Sequence, residues 1–122
     1  MPSYTTISLR MQDEIAIVEV LARRIYLHTV EEFRDELQQV LSSTAGPVLI
    51  DLGKVSVMNS AGLGVLIATQ DQLQKNNRRL VVVNLQPLMQ EIFGRMRLET
   101  LIAIADTQAE GLRKLQGEND GQ

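Results

Sequence analysis

The pattern of apolar and polar positions along the chain predicts alternating strands and helices. Residues 7–9 alternate, and the β-branched run Ile15–Val20 follows after a polar turn, so the two segments predict a β-hairpin. Residues 47–52 form a short apolar run that predicts a buried strand. Leu80–Val83 has little alternation, as expected for a strand covered on both faces, and residues 101–105 predict a last strand.

Helical spacing marks the first and last helices. Apolar residues recur at intervals of three or four from position 30 to position 41. Thr29 and Glu32 have the spacing of a capping box, in which each side chain reaches the other's backbone N–H, and so predict the start of this helix. Thr107 and Glu110 form a second such pair, which predicts a short final helix.

Two further helices are expected in the middle of the chain. Asn59 or Ser60 can cap the first of them, which is expected to run to about Lys75. Its residues Leu66, Ile67 and Leu73 are expected to face the sheet. Pro87 suits the first turn of the second of these helices, because its fixed φ angle matches a helix start.

The resulting order is β-β-α-β-α-β-α-β-α, which predicts an α/β fold with parallel strand pairs. A mixed sheet of about four to five strands is expected, with helices mainly on one face because no helix separates the first two strands. The length of 122 residues suits one domain. We expect that domain to span residues 1–116 and residues 117–122 to form a disordered tail.

Composition restricts the possible partners and the cellular location of this domain. The chain has no cysteine, which excludes disulfides, and its net charge of −3 does not favour nucleic acid as a partner. The first residues lack a signal-peptide pattern. No apolar run approaches the roughly 20 residues of a membrane span. We therefore expect a soluble cytoplasmic protein that binds neither nucleic acid nor membrane.

Sequence motifs for catalysis are incomplete in this chain. A P-loop needs Ser or Thr after Gly-Lys, but Val55 follows Gly53-Lys54. A nucleophile elbow needs Gly-x-Ser-x-Gly, but Met58 stands at the first glycine. The only histidine, His28, lies just before the capping threonine, where an exposed histidine is unremarkable. We therefore expect no catalytic residues, no metal site and no enzymatic activity.

The stretch VMNSAGLGVLIA, residues 57–68, places a serine at the head of a helix among very small residues. Ser60 as part of a helix cap explains the hydroxyl, but not the neighbouring Ala61, Gly62 and Gly64. Small residues let another backbone approach. A helix N-terminus also accommodates an anion, so a serine there can carry a phosphate. Capping and a modifiable docking surface therefore both remain open at this point.

The run DLGKVSVMNSAGLGVL, residues 51–66, resembles the signature of the STAS family, the anti-sigma-factor antagonists. In that family a strand ends in Asp-Leu, a short turn follows, and a methionine or similar residue precedes Asp-Ser-Ser/Thr-Gly-Leu-Gly. The inferred order of strands and helices is also similar to that of the family. The resemblance therefore covers nearly the whole chain and implies a single STAS domain.

The resemblance implies a role in partner switching. The unphosphorylated antagonist binds an anti-sigma serine kinase of the histidine-kinase-like ATPase fold, which otherwise holds a sigma factor or another effector. The kinase phosphorylates the motif serine, here Ser60, the complex dissociates, and a serine phosphatase resets it. No cofactor of this chain is implied, because ATP and magnesium belong to the kinase. Asn59 replaces the motif's acidic residue, and Ala61 removes the second hydroxyl.

The resemblance also implies where the partner binds. The expected contact residues lie in the turn before the first helix and around the phosphorylated serine: Arg23, Tyr26, His28, Asn59, Ser60, Ala61, Gly62, Leu63 and Val65. Tyr26 stands where the family's turn often carries a carboxylate. We expect Gly62→Val to leave the fold intact and to block the partner, since a branched side chain would occupy the approach of the partner's backbone.

Two other classes of function are compatible with the sequence. The chain could be a non-phosphorylated STAS interaction module, a structural subunit of a larger assembly such as a lipid transporter. It could also be a small-ligand-binding or enzymatic domain that uses a cleft near the helix start. Phosphate on Ser60 distinguishes the first function from the second, and a bound metabolite would favour the third.

Overall fold

The computed structural model describes residues 3–117 and contains a five-stranded sheet, a separate two-stranded ribbon and four α-helices within that range. The strands are β1 (Ile7–Gln12), β2 (Ile15–Val20), β3 (Arg24–Ile25), β4 (Val48–Asp51), β5 (Val57–Met58), β6 (Leu80–Val83) and β7 (Ala103–Ala105). The helices are α1 (His28–Ser43), α2 (Ser60–Lys75), α3 (Pro87–Arg95) and α4 (Gln108–Leu115), with a 3₁₀ turn at Leu98–Thr100. From residue 118 onwards, the predicted tail lies outside the described residues.

The main sheet has the strand order β1-β2-β4-β6-β7. β1 and β2 form the predicted antiparallel hairpin, while the pairs β2–β4, β4–β6 and β6–β7 are parallel. The mixed sheet and the α/β class expected from the sequence are therefore confirmed. The last strand is shorter than residues 101–105, because the 3₁₀ turn at Leu98–Thr100 delays its start.

The two faces of the sheet are covered unequally. Val48 and Ile50 point into the larger core, which includes apolar residues of α1, α2 and α3, whereas Leu49 points into a smaller cluster with Leu115 of α4. Three helices thus pack on one face and only α4 packs on the other, which agrees with the expected arrangement. None of the helices in residues 3–117 has the length and apolarity needed to cross a membrane.

α1 begins differently from the sequence prediction. The helix starts at His28, and Leu27 occupies the N-cap position without any side-chain cap. Thr29 is therefore already inside the helix, and the capping box predicted for Thr29 and Glu32 is wrong. The pattern identified the helix correctly, but the backbone turn at Leu27 has a positive φ of 55°, which sequence spacing does not reveal.

α4 begins at the predicted cap. Thr107 Oγ1 accepts a hydrogen bond from Glu110 N at 3.2 Å, as one half of the predicted capping box requires. The Glu110 carboxylate accepts from Asp106 N rather than from the N–H of Thr107. The second hydrogen bond of the capping box therefore comes from the residue before Thr107 and not from Thr107 itself.

A buried carboxylate holds together the loops at the carboxyl end of the sheet. Asp51 is the last residue of β4, and its carboxylate accepts hydrogen bonds from Gly53 N, Asn84 Nδ2 and Gln108 Nε2 at 2.8–2.9 Å. These donors belong to the turn after β4, the loop after β6 and the first residue of α4. Asp51 therefore positions the start of the segment that leads to β5 and α2.

Glu36 of α1 fixes the segment before β1. Its buried carboxylate accepts hydrogen bonds from the backbone N–H and the hydroxyl of both Thr5 and Thr6, at 2.6–3.0 Å. Burial by itself raises the pKa of Glu36, but the bonds from Thr6 and Thr5 together lower that pKa below its ordinary value. The charged form is therefore favoured in the folded protein.

We expect Glu36→Gln to destabilise the domain by about 2 kcal/mol at pH 7, because an amide cannot accept from all four donors. Because the pKa of Glu36 is lower in the folded protein, its ionised carboxylate contributes its full stabilisation at pH values above the pKa in the unfolded chain, near 4.5. This stabilisation is lost as the pH falls through the pKa in the folded protein. Urea unfolding at pH 7 and at pH 3.5 measures this effect, and the difference between the two proteins should shrink at acid pH. Asp35→Asn, at an exposed neighbour, is the control. An equal difference at both pH values would contradict the assignment.

Candidate phosphorylation and partner-binding site

Ser60 is the first residue of α2 and is exposed to solvent. The preceding residue, Asn59, has an extended backbone and caps the helix, since its Oδ1 accepts from Gly62 N at 2.8 Å. Asn59 N in turn donates to Ile25 O at 3.0 Å, which attaches the helix start to β3. The structure thus confirms that an exposed serine stands at a capped helix N-terminus.

The two glycines of α2 have different surroundings. Gly62 is buried, and a Cβ placed on it would collide with Met58 Cγ and lie 2.9 Å from Ile25 Cγ2. Gly64 is exposed, and beyond its own helical turn a Cβ placed on it would have no heavy atom of residues 3–117 within 4 Å. Gly62 thus allows α2 to pack closely on the two short strands, and this packing argues against the expectation that Gly62→Val leaves the fold undisturbed.

Two other residues expected to contact the partner also lie in the interior. Leu63 and Val65 are both at most 5% exposed, so they pack α2 onto the core and do not belong to its outer surface. Leu66 and Leu73 are buried as predicted, and Ile67 is half-buried against the same core. Only Asn59, Ser60 and Ala61 of the predicted α2 contacts are exposed.

The turn before α1 lies beside Ser60 because β3 and β5 pair in parallel. Arg24 is opposite Val57 and Ile25 is opposite Met58, so the residues that follow each strand emerge at the same end of the ribbon. Arg23 O further accepts from Ser56 N at 2.8 Å and from the Ser56 hydroxyl at 3.0 Å. The pairing therefore joins two segments that are more than thirty residues apart in sequence.

The predicted residues of this turn are all exposed. Arg23 precedes β3, Tyr26 follows it with 40% of its surface exposed, and His28 is the first residue of α1. Leu27 between them is 73% exposed, the largest fraction among the exposed large hydrophobic residues of the described chain. The sequence interpretation placed the turn from Arg23 to His28 in the contact surface but did not single out Leu27.

The electrostatics at Ser60 favour an anion. The first turn of α2 contains no acidic residue, and the N-terminus of a sixteen-residue helix carries a partial positive charge. Asn59 adds capping without adding negative charge. A phosphate on the Ser60 hydroxyl would therefore meet no acidic side chain in the first turn of its own helix.

A family model of the STAS domain matches residues 6–111. The chain belongs to the STAS family. The matched range includes every strand, the helices α1, α2 and α3, and the first half of α4. The five-stranded mixed sheet and the four helices of residues 3–117 are thus those of a STAS domain, as the resemblance in residues 51–66 implied.

Solved structures with the same fold support this assignment. An anti-sigma factor antagonist from Mycobacterium paratuberculosis is 22% identical, with a TM-score of 0.82 over 91% of this chain and 93% of that chain. The Bacillus cell fate determinant SpoIIAA in its phosphorylated form is 20% identical, with a TM-score of 0.66 over 88% and 97% of the two chains. At these identities the similarity establishes a shared STAS fold.

The STAS fold also occurs within a much larger protein. The murine solute carrier 26 family member A9, an anion transporter, is 15% identical with a TM-score of 0.75. The match covers 88% of this chain but only 18% of the transporter chain. The fold alone therefore does not distinguish an independent antagonist from a module of a larger assembly, and the chemistry at Ser60 becomes the decisive feature.

Proposed function

We propose that this STAS domain is an anti-sigma-factor antagonist that works by partner switching. In its unmodified form it binds an anti-sigma serine kinase of the histidine-kinase-like ATPase fold. Phosphorylation of Ser60 releases it, and a serine phosphatase restores the binding form. The chain acts as a cytoplasmic binding module without catalytic activity of its own, and its domain spans residues 1–116.

The observation that carries the proposal is the exposed Ser60 hydroxyl at the capped start of α2. A kinase must bring the γ-phosphate of ATP to within bonding distance of the acceptor oxygen, and Ser60 stands at the surface with small Ala61 beside it. The Asn59 side chain caps the Gly62 N–H without adding a negative charge. The positive end of the helix dipole stabilises the charge that a phosphate adds.

The residues around Ser60 provide a surface that a partner can recognise. Tyr26 on the turn, His28 at the start of α1, and Asn59 and Ala61 at the start of α2 are exposed at one end of the β3–β5 ribbon. A protein that binds across both segments covers Ser60. Modification of Ser60 then places a doubly charged group inside the contact area, which is the physical basis of release.

Phosphate transfer to Ser60 tests the proposal. The purified protein is incubated with Mg-ATP and, one at a time, each serine kinase of this fold encoded in the same genome, and the product is analysed by mass spectrometry. We expect one phosphate, located on Ser60, and none on Ser60→Ala. Ser56→Ala is the matched control, because Ser56 lies close by but its hydroxyl donates to Arg23 O. Transfer to another residue, or to none, contradicts the proposal.

A second candidate is a STAS interaction module that is never phosphorylated and serves as a structural subunit of a larger assembly, such as a lipid transporter. The occurrence of the same fold within an anion transporter is compatible with this candidate. Tyr26 favours it, because the turn of the antagonists often carries a carboxylate at that position. It predicts stable association with a partner that ATP does not reverse. Stable binding without any phosphate on Ser60 would establish it in place of the switch.

A further inference from the structure

Leu27 occupies a position that works against the stability of the isolated fold. It is the N-cap residue of α1, with φ 55° and ψ −131°, and 73% of its surface is exposed. Positive φ is a genuine strain for a bulky side chain. The Leu27 side chain makes no capping hydrogen bond, at a position where Ser, Thr, Asp or Asn is preferred. In the folded domain the leucine side chain therefore provides neither a cap nor a buried contact.

Backbone hydrogen bonds and strand pairing flank Leu27 on both sides. Tyr26 O accepts from Thr29 N at 3.2 Å, and Leu27 O accepts from Val30 N at 3.1 Å, which forms the first turn of α1. Residue 25 is fixed on the other side by its pairing with Met58. The exposed leucine side chain thus stands on a hydrogen-bonded turn, directly after the exposed Tyr26 in the sequence.

Local rules of stability are broken most often where a residue serves function. We infer that Leu27 is the hydrophobic anchor of the partner-binding surface and enters an apolar pocket of the kinase beside its phosphate-transfer site. This inference rests on the proposed function. Leu27 is two residues beyond Ile25, whose carbonyl oxygen is bonded to Asn59 N, so anchor and phosphoacceptor share one end of the ribbon. Docking of the leucine would position Ser60 for transfer.

The experiment uses the kinase that phosphorylates Ser60 in the test above, without nucleotide, and measures its Kd for the full chain by calorimetry. We expect Leu27→Ala and Leu27→Gly to weaken binding about 10- to 100-fold, as for loss of a buried leucine anchor. Leu27→Met, which keeps the apolar reach, should stay within threefold of the parent. Leu101→Ala is the matched control, at a leucine that is 54% exposed near the start of β7.

Urea unfolding of the same variants separates a binding role of Leu27 from a structural role, because a purely structural residue would not gain stability and lose affinity in the same variant. Glycine relieves a positive φ, so Leu27→Gly should unfold at a higher urea concentration than the parent while it binds the kinase more weakly. Binding of Leu27→Ala and Leu27→Gly within threefold of the parent overturns the inference. Lower stability of Leu27→Gly overturns the claim of strain and the argument built on it.

The outcome of this test is separable from that of the proposed function. If the unmodified parent binds and its Ser60 phosphate releases it, but the Leu27 variants bind normally, only the anchor is wrong. If no kinase of this class binds the unmodified parent, the proposed function is wrong, and the inferred role of Leu27 is wrong as well.

Discussion

Gly62→Val should lower the free energy of unfolding by about 2–3 kcal/mol, although the substitution replaces glycine in a helix. Its Cβ would overlap Met58 Cγ, and its methyl groups would press on Ile25, which has no exposed surface. Overpacking of this kind typically costs 1–3 kcal/mol. The modest gain in helix propensity, a few tenths of a kcal/mol, does not offset it. Urea unfolding monitored by circular dichroism measures the effect.

Gly64→Val is the matched control for this prediction. It makes the same substitution two residues further along α2, where a Cβ meets open space. Its stability should equal or slightly exceed that of the parent because valine is the better helix former. Equal stability of Gly62→Val and Gly64→Val would mean that α2 does not pack on β3 and β5 as described.

Phosphorylation of Ser60 should weaken binding to the kinase by roughly a hundredfold, equivalent to about 3 kcal/mol. The phosphate adds a charge of about −1.5 to −2. The free domain tolerates this charge because it lies at the N-terminus of α2, so thermal unfolding should change little. In the proposed complex the same charge would lose its hydration and would lie near the phosphates of the kinase's nucleotide.

Calorimetry with the unmodified and phosphorylated proteins measures this difference directly. Ser60→Ala should bind like the unmodified protein and should not be released by ATP, since Ala61 offers no alternative hydroxyl. Ser60→Asp should weaken binding only in part, because a carboxylate carries less charge than a phosphate. Affinities of the phosphorylated and unmodified proteins within two- to threefold of each other would contradict the switch and favour the structural module.

Much of this fold follows from local patterns in the sequence. Ile15–Val20 and Leu80–Val83 are strands with the predicted bounds, and the helix expected to end at about Lys75 ends there. These segments owe their structure to continuous apolar runs or helical spacing, which a single sequence displays. The exposed Ser60 at a helix start was likewise predictable, because capping depends only on neighbouring residues.

The remaining features depend on contacts between distant segments. β3 and β5 contain two residues each, too few for any periodicity, and they exist only because they pair with one another. The position of Gly62 against Ile25 brings together residues far apart in the chain, so its buried role could not be read from its own neighbours. The strained turn at Leu27 likewise depends on α1 being attached to that ribbon.

The β3–β5 ribbon also has a kinetic consequence. Because hydrogen bonds and the close packing of Gly62 already join the turn to the start of α2, neither segment has to become ordered when a partner arrives. A preorganised surface avoids the entropic cost of ordering. We therefore expect association to proceed at the same rate for modified and unmodified protein, apart from electrostatic steering, so that phosphorylation acts mainly by shortening the lifetime of the complex.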